Sequence, residues 1–349
     1  MSDAPRFADV YAELLARSLS PLMVRRVFDA IFAGAWTPTQ IAAFVSALRM
    51  GGETAAIVAA AAEALRSAMV PVAHELPRVL DTCGTGGDGL GTVNLSTGAA
   101  IIAAAAGVPV AKHGNRAASS RTGSADVLEA LGIPLDLSAA DSARVLRDAG
   151  IVFLLAPTHH PAMRHATQPR RELGIRTIFN LLGPLANPAR ATHQLIGAPD
   201  EAMRVVLAET THVLGTTRAW VVRGNDGLDE ISPTTETKVA VVTPSGITEQ
   251  VIAPEDFGVE RIALADIRGG EPSENARVLE TVLAGQPHSS TPGFILNAAA
   301  ALVIAEGLQP RAAADRAREV VASGAASRLL SRWREIAGAR RPRGSTLVP

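Results

Sequence analysis

Apolar positions through roughly the first seventy residues recur at helical spacing. Ser20-Pro21 supplies an N-cap followed by proline at the first helical position, Met23, Val27 and Ile31 line one face, and Gly34 ends the segment. Thr37-Pro38-Thr39-Gln40 is a capping box ahead of Ile41, Phe44, Val45 and Leu48. A third helix starts near Thr54 and runs through an alanine-rich stretch to about Met69. These short-linked helices predict a small packed unit over residues 1–72.

The period changes after Pro71. Val79-Leu80 leads into a glycine cluster, residues 97–106 read as a buried helix, and Val108-Pro109-Val110-Ala111 reads as a strand. Val127, Leu128 and Leu131 mark a helix that closes at Gly132, residues 138–149 a capped helix, and residues 151–156 a fully buried strand. Residues 203–214 predict a helix and Trp220-Val221-Val222 a strand, and two short runs between Val239 and Ile252 flank Pro244-Ser245-Gly246 as a hairpin. Helices over 276–283, 294–305 and 312–322 follow, and the basic tail after Gly338 is expected to fray. Strands alternating with helices predict a mainly parallel central sheet covered by helices. The fold class is α/β: a small all-helical N-terminal domain joined to a large α/β domain over residues 73–349.

Composition narrows the functions. With 47% hydrophobic and 3% aromatic residues, the 349-residue chain has the apolar surface for a packed core built from Ala, Val, Leu and Ile. A formal net charge of −1 provides no field for nucleic acid or an anionic membrane, so an anionic ligand must be held by local groups. The lone cysteine, Cys83, cannot form an intramolecular disulfide and reads as a small buried residue. The N-terminus lacks a basic and then apolar run, and the longest apolar stretch, residues 99–111, is interrupted by Gly107 and Pro109 and too short to span a bilayer. A soluble, cytoplasmic protein is expected.

Four loops carry the candidate chemistry. Asp81-Thr82-Cys83-Gly84-Thr85-Gly86-Gly87-Asp88-Gly89 follows a strand, and its glycines suit either an anion-binding nest or a tight strand–helix turn. It is not a Walker A loop, because no Lys-Ser or Lys-Thr follows the last glycine. Asn94-Leu95-Ser96-Thr97-Gly98 opens a helix, where hydroxyls and N–H groups suit a phosphate or a metal-bound diphosphate; a simple cap explains one of these side chains only. Lys112-His113-Gly114-Asn115-Arg116-Ala117-Ala118-Ser119-Ser120 continues an apolar strand at the edge where α/β sheets bind ligands. Arg223-Gly224-Asn225-Asp226-Gly227-Leu228-Asp229-Glu230 places three carboxylates in five positions, which suits magnesium shared with substrate phosphates. The histidines of His159-His160-Pro161-Ala162-Met163-Arg164-His165 lack acidic or cysteine companions, so a zinc site is rejected, while Arg170 or Arg171 could pair with a substrate carboxylate.

Together these segments closely resemble the motifs of the anthranilate phosphoribosyltransferases, and Arg170–Thr177 followed by Ile178-Phe179-Asn180-Leu181-Leu182-Gly183-Pro184-Leu185 looks like that family's signature between its domains. The similarity runs from about Leu19 to Arg334. It implies a nucleoside phosphorylase/phosphoribosyltransferase-like fold, with part of the helical domain returning near residues 163–184. It also implies a homodimer and the second step of tryptophan biosynthesis from chorismate, in which the amine of anthranilate displaces diphosphate from 5-phosphoribosyl 1-diphosphate. Carried over by position, Gly84, Gly87, Asp88, Thr92, Asn94, Leu95, Ser96 and Thr97, with Lys112, His113, Gly114, Asn115, Arg116, Ala117, Ala118, Ser119, Ser120 and Ser124, bind the phosphoribosyl donor. Gly84, Asn115 and Arg170 contact anthranilate, and Ser96, Asp229 and Glu230 hold Mg2+. No catalytic base is assigned, and a structural hydrogen bond is the expected job of His113. Val93 stands where the family often has an aromatic residue, Arg223 where a His is common, and Gln168-Pro169 replaces a more usual Pro-Val; these departures bear on fine positioning. The alternatives are a pyrimidine nucleoside phosphorylase-like enzyme, against which the residue 112–120 loop and the Asp229-Glu230 pair count, and a catalytically silent ligand-binding homologue.

Overall fold

A computed structural model describes residues 4–117 and 121–340. Among them, β1 (Leu80–Gly84), β2 (Val110–Gly114), β3 (Ile151–Leu155), β4 (His193–Gly197), β5 (Arg218–Gly224), β6 (Thr237–Thr243) and β7 (Gly246–Ile252) form one sheet. Its order is β3-β2-β1-β4-β5-β6-β7, parallel from β3 to β5 and antiparallel over the last two strands. The mainly parallel sheet expected from the alternating pattern is therefore present, with the Thr243–Gly246 turn closing the expected hairpin.

Period-two alternation assigns the sheet's faces. Leu195, Trp220 and Val222 join one core with the helices Leu95–Ala105, Thr291–Glu306 and Pro310–Ala322. Ile196, Ala219 and Val221 join the other, with the helix Glu201–Val213 and the N-terminal helices Pro21–Phe32, Pro38–Gly51 and Ala55–Ala68. Caps begin the N-terminal helices where the sequence places them: the Ser20 hydroxyl accepts from the Met23 amide at 3.1 Å, and the Thr37 and Gln40 side chains accept reciprocally from each other's amides. Ala166, Ile178, Phe179, Leu181 and Leu182 pack into this second core, the Phe179 ring 5.6 Å from Phe28.

The sequence pattern does not single out β4, because His193 and Gln194 break its apolar run. Gln194 is nonetheless buried, its amide donating to the Pro184 carbonyl at 2.6 Å, so a strand with a polar residue is tolerated at the centre of the sheet. The helices Phe7–Leu15 and Ala325–Gly338 also lie outside the predicted elements. In the latter, Ala326, Leu330, Trp333 and Ala337 supply a buried stripe that starts beyond a left-handed Gly324. Among the described residues no single helix is long and apolar enough to cross a membrane.

Candidate active site

The chain runs from β1 outward to β2 and β3, then returns to the other side of β1 with β4 and β5. The switch point between β1 and β4 is where an open α/β sheet leaves a crevice at its carboxyl edge. Gly84 and Gly197 are paired there, at the ends of the two strands. A Cβ on Gly197 would collide with the Asp229 carbonyl, and one on Gly84 would lie 3.3 Å from Asp229 Oδ2. Two glycines at the strand ends thus let the loop after β5 lie against the crevice.

That loop sorts its three carboxylates. Asp226 is held by hydroxyls, Ser232 at 2.7 Å and Thr234 at 2.5 Å, and by the Leu228 amide at 3.1 Å, so it shapes the turn. Buried Leu228 then anchors the turn, leaving Asp229 and Glu230 in the crevice. Glu230 accepts from the Ser96 amide at 3.1 Å, at the N-terminus of the helix Leu95–Ala105, and the Asp229 amide lies 3.5 Å from Asp88. Enclosure by protein, followed by the neighbouring charges of Asp88 and Glu230, holds the Asp229 carboxyl well above its usual range. Burial likewise pushes Glu230 up to about 7, against the opposing charge of Lys112. Enclosed carboxylates beside a third, Asp88, suit a divalent cation with oxygen ligands, and Asp229, Glu230 and Ser96 are the residues that could hold Mg2+.

Lys112 is almost fully buried, and its ammonium donates to the Thr82 carbonyl and to Ser96 Oγ at 3.2 Å. Its charge therefore acts from beneath the crevice, between Glu230 and the fully buried Asp81. Asp81 accepts from the His113 amide at 3.0 Å and from Asn187 at 2.8 Å. The His113 ring bonds the Gly183 carbonyl at 2.9 Å through Nδ1, and burial lowers its pKa to about 3. Asn115 is exposed, and its backbone carbonyl accepts from Ser124 Oγ at 3.4 Å. Arg116 is committed to Glu129 and Asp126. Asp126 also accepts from the amides of Ala117 and Gly123, both at 2.9 Å, and so clamps the two ends of the intervening loop. Ala118, Ser119 and Ser120 lie outside the described residues.

Asn94 is oriented by Asn275, whose amide donates to Asn94 Oδ1 at 3.0 Å while its own Oδ1 accepts from Gly270. Thr92 bridges to Arg268, and the Val93 amide donates to the Ile267 carbonyl at 2.8 Å. Leu95 and Thr97 are buried behind the helix terminus, and Gly87 and Asp88 lie in the loop after β1. Half-buried Arg170 has its Cζ 5.7 Å from the Phe179 ring centroid and pairs with no carboxylate among the described residues; burial lowers its pKa. An unpaired, partly desolvated guanidinium suits a carboxylate ligand.

Residues 14–69 match the helical bundle domain, and residues 76–327 the a/b domain, of a glycosyl transferase family. An anthranilate phosphoribosyltransferase of Symbiobacterium thermophilum is 46% identical over 321 residues, covering 92% of this chain and 94% of the relative. The chain belongs to the anthranilate phosphoribosyltransferases. The crystal structure of the Thermus thermophilus member superposes with a TM-score of 0.89 at 40% identity, over 94% of this chain and 99% of that one. The Saccharomyces cerevisiae enzyme, 29% identical with a TM-score of 0.88 over 95% and 98% of the two chains, was solved with PRPP and Mg, and also with 4-fluoroanthranilate.

Against that family pattern the departures have local explanations. Val93 is buried in the main core, and Arg223 donates to the Pro199 carbonyl at 3.2 Å, bracing the turn after β4. Gln168 bonds Glu172 at 2.8 Å, and Pro169 is buried inside the helix Arg164–Leu173. Sequence reasoning missed Gly197, Asn187 and Asn275. Gly197 alone carried a local signal, a glycine closing the apolar pair Leu195-Ile196; the others act through residues far away in the chain.

Proposed function

We propose that this chain transfers the 5-phosphoribosyl group from 5-phosphoribosyl 1-diphosphate to the amine of anthranilate, giving N-(5-phosphoribosyl)anthranilate and diphosphate. This is the second step of tryptophan biosynthesis from chorismate. The observation that carries it is the meeting of Asp229, Glu230 and the Ser96 helix terminus across Gly84 and Gly197 at the sheet's switch point.

Mg2+ held by Asp229, Glu230 and Ser96 would supply positive charge to offset that of the departing diphosphate. The residues around it set geometry. The glycine loop after β1 offers amides to the donor's phosphates, the N-terminus of Leu95–Ala105, whose first amides are bonded within the protein, adds the positive end of its dipole, and Lys112 balances the acidic floor from below. Asn115, held by the Ser124 contact, and Arg170 address anthranilate, the guanidinium taking its carboxylate. Fixing both reactants converts a bimolecular encounter into an oriented one. The amine nitrogen forms a bond to C1 as the C1–O bond breaks and its electron pair leaves with diphosphate; the nitrogen then gives a proton to solvent. An aromatic amine is neutral at pH 7 and needs no base beforehand. His113, with a pKa of about 3, is a poor proton acceptor, and its ring serves to hold the Gly183 carbonyl.

We further assign a helical part, residues 1–72 with the return near 163–184, and a donor-binding part, residues 73–349. A homodimer is proposed on the family resemblance. A cytoplasmic location is supported by the two anionic metabolites the site takes, and the near-neutral net charge favours neither nucleic acid nor membrane partners. The double variant Asp229→Ala/Glu230→Ala tests the metal assignment. It should keep its fold and lose magnesium-dependent turnover; an unchanged magnesium requirement would remove both residues as ligands.

A further inference from the structure

Arg176 is a cation outside the roles given above. It lies on the short connection between the helices Arg164–Leu173 and Phe179–Leu185, which follows the left-handed Gly174. Its base is fixed: Thr177 and Ile178 are buried, and the Thr177 amide donates to Asn180 Oδ1 at 3.0 Å. From there the side chain crosses to the glycine loop after β1. Nη2 donates to the Gly86 carbonyl at 2.6 Å, and Nη1 lies 3.4 Å from Met203 Sδ on the first turn of the helix that follows β4. Gly87, at φ +87°, makes room for the guanidinium, because a Cβ there would overlap it. No carboxylate lies within ion-pair distance of Arg176 among the described residues.

The loop at Gly86 is thereby held at two points. The Gly86 carbonyl takes the Arg176 hydrogen bond at 2.6 Å, and the Thr85 amide just before it donates to the Gly197 carbonyl at 3.1 Å. A carbonyl in an anion-binding loop repels phosphate unless its direction is fixed and its partial charge offset, and a guanidinium does both. We infer that Arg176 is a positioning residue for the donor: it fixes the Gly86 carbonyl and ties the connection packed into the helical domain to the loop that receives diphosphate. This rests on the assignment of the β1 loop to 5-phosphoribosyl 1-diphosphate.

The test compares wild type, Arg176→Ala and Arg176→Lys in steady-state kinetics for each substrate and in hydrogen exchange of the loop amides in the ligand-free protein. Arg176→Ala should raise the donor KM about tenfold, as expected for loss of one charge-assisted hydrogen bond, and leave the anthranilate KM within about twofold. Amides of residues 85–89 should exchange faster in Arg176→Ala. Arg176→Lys, which keeps one donor for Gly86, should recover most of both effects. Equal rises in the two KM values with a lowered Tm would overturn the inference in favour of general structural support, and unchanged donor KM would overturn it outright. Absence of transfer in wild type, with the exchange difference still present, would instead count against the donor assignment and leave the Arg176–Gly86 coupling standing.

Discussion

Gly197→Ala is the sharpest perturbation of the crevice, because it adds one methyl group at a position that touches no ligand in the proposed site. Strand β4 is held on both sides, Gly197 being paired with Gly84 of β1 and with Val222 of β5, so the strand cannot yield. The new Cβ meets the Asp229 carbonyl, and the turn carrying Asp229 and Glu230 must retreat. The Cβ would stand 1.7 Å from that oxygen, so restoring an ordinary carbon–oxygen separation needs a displacement of roughly 1.3–1.7 Å. The Ser96 amide now sits 3.1 Å from Glu230, and such a movement takes that pair beyond hydrogen-bond range. Overpacking of this kind costs about 1–3 kcal/mol in stability, which for a chain of this size is a fall in Tm of roughly 1–4 °C. The effect on turnover should be larger, about 10²-fold, because misplacement near 1 Å at reacting groups has that consequence. Thermal unfolding by circular dichroism and initial rates across a magnesium titration measure both. Wild-type turnover with a wild-type magnesium requirement in a folded Gly197→Ala protein would refute the claim that the crevice positions the two carboxylates.

Arg170→Ala should raise the anthranilate KM about 10- to 100-fold, the range for a lost charge-assisted hydrogen bond, and leave the donor KM almost unchanged; equal rises in both would remove its assigned role. Asp81 tests the buried network below the site through pH. Burial, outweighing the Asn187 hydrogen bond and the Lys112 charge, raises its pKa from 3.8 to about 6. Between those values the folded protein holds a proton that the unfolded chain has released. Stability from this group is therefore greatest below pH 4 and falls by about 3 kcal/mol as pH rises through 6. Asp81→Asn should remove that part of the slope, measured as urea-unfolding free energies at pH 4.5 and 6.5; an unaltered slope contradicts the shift.

What the sequence disclosed follows from how local each signal is. The helix caps at Ser20 and Thr37 are short-range hydrogen bonds between residues three apart, and they stand where the spacing puts them. The glycine loop, the Asn94–Gly98 helix start and the Asp229-Glu230 pair are each contiguous, so their chemistry could be named before their meeting was known. The meeting itself was not legible, since it depends on β4 entering beside β1, and the buried Gln194 disguises that strand. Roles within the loops were also hidden. Asp226 resembles its two acidic neighbours in sequence but is spent on Ser232 and Thr234, and Arg116 sits in a loop rich in anion donors but faces Glu129. Asn275 reaches Asn94 from 181 positions away, a contact that only the fold creates.

The most direct test of the proposed activity follows anthranilate fluorescence after addition of 5-phosphoribosyl 1-diphosphate, with and without magnesium, while released diphosphate is counted. Magnesium-dependent loss of fluorescence matched one-for-one by diphosphate is the expected result. No loss from a folded protein that still binds the donor would contradict it, and would point instead to another amine acceptor or to a homologue that binds without turnover.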